Sequence, residues 1–230
     1  MKMRRKIILT TSLALGLLLV QNGGPAWASG SDFQAWSAVA INGPVKEDSN
    51  LMLWFDGHAR FRDDASDLGV SIIRPALGWR LNPKLTLWGG YARVTGHRTG
   101  PNIEEDRIWQ QATYPIATIF GGNLSGRTRL EQRFRKVGSD TGHRFRQFTR
   151  WAKPLDNPAA SVVIWSELFL GLNDTDWGQR SGYDQHRLFL GMGWQLSDNM
   201  RIEGGYLNNH IDGSPGPTNH NISLTIFARL

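Results

Sequence analysis

The chain contains no cysteine, which excludes disulfide cross-links and thiolate metal centres. Beyond residue 28 it also lacks any apolar run of the roughly 20 residues that a membrane-spanning helix requires. No helical period of apolar residues stands out, and there is no zinc-ligand spacing, phosphate-cradling glycine loop or recognisable catalytic motif. For a membrane protein these absences leave one form. Only helices and closed barrels satisfy every backbone polar group in lipid, so the chain must cross as strands.

What is present begins with a leader. Lys2, Arg4, Arg5 and Lys6 precede a mostly apolar run from Ile7 to Val20, followed by Gly23, Gly24, Pro25 and the tripeptide Ala26-Trp27-Ala28. This is the layout of a secretory signal peptide cut after Ala28, with residues 1–28 as leader and 29–230 as a single exported domain. The formal charge of +6 comes mostly from the leader: taking its four basic residues from 26 leaves 22 against 20 acidic, a net of +2. That balance, together with export, gives no footing for a nucleic-acid partner.

The rest of the chain reads as strands. Leu51, Leu53, Phe55, Gly57, Ala59 and Phe61 alternate with Met52, Trp54, Asp56, His58, Arg60 and Arg62, a period of two. Comparable stretches are 33–41, 70–81, 85–95, 106–114, 124–136, 143–153, 161–172, 185–196, 200–210 and 219–230. Connections alternate between tight turns, such as Asn82-Pro83-Lys84 and Ser197-Asp198-Asn199, and longer polar loops, as bacterial outer-membrane barrels do. The expected fold is an all-β, transmembrane, antiparallel up-and-down β-barrel of 10–12 strands. An even number is expected if both termini lie on the periplasmic side, which requires 33–41 not to span or an additional strand near 116–121. Trp79, Trp88, Trp109, Trp151 and Trp194 lie near strand ends, where a membrane interface favours indole rings. Gly78-Trp79-Arg80-Leu81 and Gly89-Gly90-Tyr91 recur 115 residues later as Gly193-Trp194-Gln195-Leu196 and Gly204-Gly205-Tyr206, the mark of a duplication or of two hairpins under one constraint.

The charge concentrates on one hairpin. Arg127, Arg129, Glu131, Arg133 and Arg135 share a strand face, opposite Leu124, Gly126, Thr128, Leu130, Gln132 and Phe134. Arg144, Arg146 and Arg150 share the matching face of the next strand, and Glu167, Arg187 and Glu203 supply inward charges from others. Two accounts of this lumen follow. Arginine–carboxylate pairs could fill a narrow, structural interior; alternatively, seven arginines against one glutamate on the hairpin leave an excess that draws small anions into a pore. Toward the loop end Arg133, Arg135, Lys136, His143 and Arg144 form a candidate contact for lipopolysaccharide phosphates. The competing class is a lipid-modifying outer-membrane hydrolase, for which His58, His97, His143, His186, His210 and His220 and Ser66, Ser139, Ser181 and Ser214 are available without a motif. Asp174 and Asp176 fall short of a calcium-loop pattern. No cofactor is expected.

The stretches Asp106-Arg107-Ile108-Trp109-Gln110-Gln111 and Arg127 to Phe134, Arg144 with Arg146, Glu167-Leu168-Phe169 and Gly204-Gly205-Tyr206 together resemble a family of uncharacterised Gram-negative outer-membrane β-barrel proteins, grouped as a domain of unknown function. The final strand, with Ile222, Leu224, Ile226, Ala228 and Leu230 on one face, is similar to the terminal strand by which outer-membrane barrels are assembled. The resemblance implies an outer-membrane location, the barrel-assembly machinery and membrane lipids as partners, and no reaction.

Overall fold

A computed structural model describes residues 31–213 and 216–230; the leader and Ser214 lie outside them. The described residues contain no helix. The strands are β1 (Phe33–Pro44), β2 (Leu51–Arg62), β3 (Asp67–Asn82), β4 (Leu85–Gly96), β5 (Ile103–Ile119), β6 (Gly122–Arg135), β7 (Gly142–Pro154), β8 (Ala160–Gly171), β9 (Gly182–Ser197), β10 (Met200–Ile211) and β11 (Thr218–Arg229). Each pairs with its sequence neighbours, and β1 closes on β11. Closure satisfies both sheet edges.

Eleven strands fall within the expected 10–12, but the even number is not found. The residues near 116–121 finish β5 and turn directly into β6, while β1 is a full strand that pairs along Phe33↔His220 to Asn42↔Arg229. An odd count makes the first and last strands run the same way, so the closing pair is parallel and every other pair is antiparallel. Parallel ladders are slightly weaker per residue, which makes the β1–β11 seam the least strongly bonded by backbone geometry.

The connections alternate between a mostly tight end and an end with longer loops, except that 45–50 on the tight end is longer than 63–66 on the other. At one end, here the turn end, lie 45–50, 83–84, 120–121, 155–159 and 198–199. At the other, the loop end, lie 63–66, 97–102, 136–141, 172–181 and the connection from Ile211 to Thr218.

Alternation along each strand turns the molecule inside out relative to a water-soluble domain. Ile73, Leu77 and Ile222, each 57% exposed, stand on the outer surface with Leu87, Ile108, Leu130, Leu190 and Leu224. The two recurrent hairpins each place an exposed tryptophan toward the turn end (Trp79, Trp194) and an exposed tyrosine toward the loop end (Tyr91, Tyr206). The repeat thus sets matching rings on the outer face of both hairpins. Two of the tryptophans expected at the rim lie elsewhere: Trp88 and Trp109 are buried inside. They share the inward parity of β4 and β5, and their ring volume is accommodated by Gly78 and Gly90, where a Cβ would overlap the Trp88 and Trp109 rings respectively. Trp54 packs edge-on to Trp88 at 5.3 Å, forming with Met52, Ala76 and Ala92 an apolar lining along one side of the lumen.

Candidate functional site

The interior is organised around shared carboxylates. Glu131 of β6 sits opposite Arg144 of β7 in register. It accepts from Arg144 Nε at 3.0 Å and Nη2 at 2.6 Å, and from Arg146 Nη1 at 2.6 Å. Arg107 and Arg129 stand 3.9 Å and 3.5 Å from it. Glu167 of β8 takes Arg127 at 2.7 Å and Arg146 at 2.6 Å. Toward the loop end Glu105 binds Arg133 through two contacts, at 2.7 Å and 2.9 Å, and Arg135 at 3.0 Å. Toward the turn end Glu203 takes Arg150 and Arg201. On the facing wall Asp56 binds Arg74 and accepts from the Trp54 indole at 2.6 Å. Such multiply shared pairs are geometrically fixed, because the planar guanidinium donates in a rigid fork.

All the expected lumen residues lie on inward faces: Arg127, Arg129, Glu131, Arg133, Arg135, Arg144, Arg146, Arg150, Glu167, Arg187 and Glu203. Arg129 and Glu131 are each only 1% exposed. The hairpin's apparent excess of seven arginines is largely met from other strands, by Glu105, Glu167, Glu203, Asp184 and the Gln111 amide oxygen, which accepts from Arg129 at 2.8 Å and 2.6 Å. The lipopolysaccharide cluster does not assemble as an outer patch. Arg133, Arg135 and Arg144 turn inward, since they carry the same parity as Glu131.

Residues outside the predicted set complete the lining. Glu105, one residue before the 106–114 stretch, extends the inward series Arg107, Trp109, Gln111 by one step. Arg74 lies in the 70–81 stretch beside Pro75 and shares the inward parity of Ile72 and Ala76. Arg60 was visible in the β2 alternation, but local pattern could not show what faces it across the lumen.

The lumen consists of two chambers, about 490 Å³ toward the turn end and about 440 Å³ toward the loop end. The residues lining both are Trp36, Arg60, Arg74, Arg146 and Arg187. This waist is four guanidinium groups and an indole. Arg74 and Arg146 are committed to Asp56, Glu131 and Glu167. Arg187 reaches Glu167 only at 4.0 Å and donates to Asn209 and Gln185. Among the described residues Arg60 pairs with no carboxylate, its buried Nε has no hydrogen-bond partner, and its guanidinium lies 4.0 Å from the centre of the Trp36 ring.

On the outer surface Ser166 meets His186 at 2.8 Å and Ser71 meets His97 at 2.9 Å. Among the described residues neither histidine bonds to a carboxylate, so no oriented base for a hydrolase assembles there. The acidic loop 172–181 spends its carboxylates on hydrogen bonds within itself and to loop 136–141. Asp176 accepts from the Ser139 amide at 2.7 Å and hydroxyl at 3.1 Å, and Asp174 from the Ser181 amide at 2.7 Å. The Ser139 amide, with that of Asp140 behind it, holds the Asp176 carboxyl below its ordinary value.

A closed β-barrel with an apolar exterior and a buried arginine–glutamate interior is the class that the fold and the site define. The chain belongs to the family described as "Protein of unknown function (DUF2490)", whose model matches residues 33–221. An uncharacterized protein of Methylorubrum extorquens is 37% identical over 226 residues, covering 96% of this chain and 98% of that one. Two solved structures are also similar. The siderophore receptor PirA from Pseudomonas aeruginosa has a TM-score of 0.34 and 16% identity over 80% of this chain and 34% of its own. The anion-selective porin from Comamonas acidovorans has a TM-score of 0.36 and 14% identity over 76% of this chain and 55% of its own. The chain thus spans about a third and just over half of those two barrels.

Proposed function

We propose that the protein resides in the outer membrane after signal-peptide removal and serves as a narrow passage for small anions, with the arginine waist as its selectivity element. Strands of 12 to 17 residues extend about 40 Å or more at roughly 3.3 Å per residue, enough to cross a hydrocarbon layer about 30 Å thick when tilted. The exposed aliphatic band and its aromatic rims suit that layer. Inside, a cation approaching the waist meets four guanidinium groups, of which two have no close carboxylate of their own. An anion meets unspent donors.

The observation that carries this reading is the pair Arg60 and Arg187, positively charged where the two chambers meet and without dedicated counter-ions. A planar lipid bilayer holding the purified protein in a potassium chloride gradient tests it. The reversal potential is expected on the chloride side, moving toward zero when Arg60 and Arg187 are both changed to Gln. A silent bilayer would instead assign the protein to a sealed, structural role in the envelope.

A further inference from the structure

The two chambers differ in chemistry. Loop-ward of the waist the wall mixes charged residues, among them Glu105, Arg107, Arg133 and Arg144, with the aliphatic Val70, Ile72 and Val94. Turn-ward, beside charged groups such as Arg127, Arg150, Glu167 and Glu203, it carries an aromatic cluster. The inward residue after Arg187 on β9 is Phe189, which stacks on Trp165 with ring centres 5.2 Å apart and planes 10° from parallel. Phe148 continues the surface 5.4 Å beyond Trp165. Val163 and Leu207 pack behind, and Trp36 joins this cluster from the waist itself. The neighbouring strands β1 and β11 line the same chamber with Ala38, Ala40, Ser223 and Thr225. Their small side chains keep open a volume of about 490 Å³, within the range of about 300–1,000 Å³ typical of small-molecule sites.

We propose that the turn-end chamber is a binding site for an aromatic carboxylate, its ring against Trp165 and Phe189 and its carboxylate between Arg60 and Arg187. The proposal rests on the reading above in taking the lumen as open to anions, and adds the ligand's class. Arg60 and Arg187 lie 4.0 Å and 4.9 Å from the centre of the same Trp36 ring. Two like charges on one indole gain most from an anion that accepts from both. An inorganic anion would satisfy them and leave the apolar wall wet. A flat ring bearing one carboxylate uses both features, because ring faces and guanidinium planes stack on aromatic surfaces.

Isothermal titration calorimetry of the folded, full-length barrel in detergent, with benzoate as probe, tests the site. Benzoate is expected to bind once per barrel. Benzamide, with the ring but no charge, and acetate, with the charge but no ring, are each expected to bind at least tenfold more weakly. Arg60→Gln should weaken benzoate at least tenfold. Ser223→Trp, which fills the chamber while keeping every arginine, should do the same, and folding of each variant is checked by heat-modifiable migration. Equal binding of acetate and benzoate, or no benzoate binding by a folded barrel, overturns the proposal. Chloride-selective current from a barrel that ignores benzoate would refute this site and leave the passage intact. Benzoate binding by a barrel silent in bilayers would refute the passage and leave the site.

Discussion

Glu131 shows what a single lumen residue contributes. Its carboxylate is buried and shared by Arg144 and Arg146, with Arg107 and Arg129 close by. Removing one partner of a buried ion pair leaves the other uncompensated at a cost of about 3–5 kcal/mol. Glu131→Gln is therefore expected to lower the stability of the detergent-solubilised barrel by about that amount, read from urea unfolding followed by tryptophan fluorescence. Arg135→Gln, at the half-exposed mouth, should cost about 0–1 kcal/mol because solvent already screens its pair with Glu105. The inward parity of these residues was legible from the alternation in the chain. Their partners were not: Glu131 finds Arg144 through the hairpin register, but Arg127 finds Glu167 and Arg150 finds Glu203 only because the barrel brings distant strands together. A local pattern counts seven arginines to one acid, and closure supplies the missing counter-charges.

At the scale of elements, period-two patterning located all eleven strands, with their ends drawn in by a few residues. Direction and closure were harder to read. The seam between β1 and β11 is parallel because eleven is odd, and nothing in either strand's pattern encodes its neighbour's direction. Trp88 and Trp109 were misplaced at the rim because nearness to a strand end was weighed above parity. The long loops also have structure beyond sequence pattern. Loop 172–181 clamps loop 136–141: the Trp177 indole donates to the Asp140 carbonyl at 2.7 Å, and Asp176 accepts from Ser139. With its carboxyl held below the ordinary value of 3.8, Asp176 stabilises the clamp fully above that value and releases it as pH falls through the lowered one. Trp177 fluorescence should accordingly shift on acidification from pH 4 downward, and the Asp176→Asn variant should lack that transition.

At the scale of the whole molecule, the distribution of residues matters more than any one contact. The side chains that fill a soluble core, such as Ile73, Leu77, Leu190 and Leu224, are outside, and those that meet water on a soluble surface, such as Arg129, Glu131 and Glu167, are inside. An exterior apolar band this continuous marks a surface made for another apolar phase. The lumen it encloses is polar and charged, and its two chambers share Trp36, Arg60, Arg74, Arg146 and Arg187. The absence of native cysteine allows the central claim to be tested at one position. A nitroxide attached at Leu77→Cys in protein reconstituted into lipid vesicles reports its surroundings through collision with oxygen or with a water-soluble nickel complex. Strong oxygen access and shielding from nickel are expected at this site. Nickel access equal to that of a water-exposed loop position would contradict it.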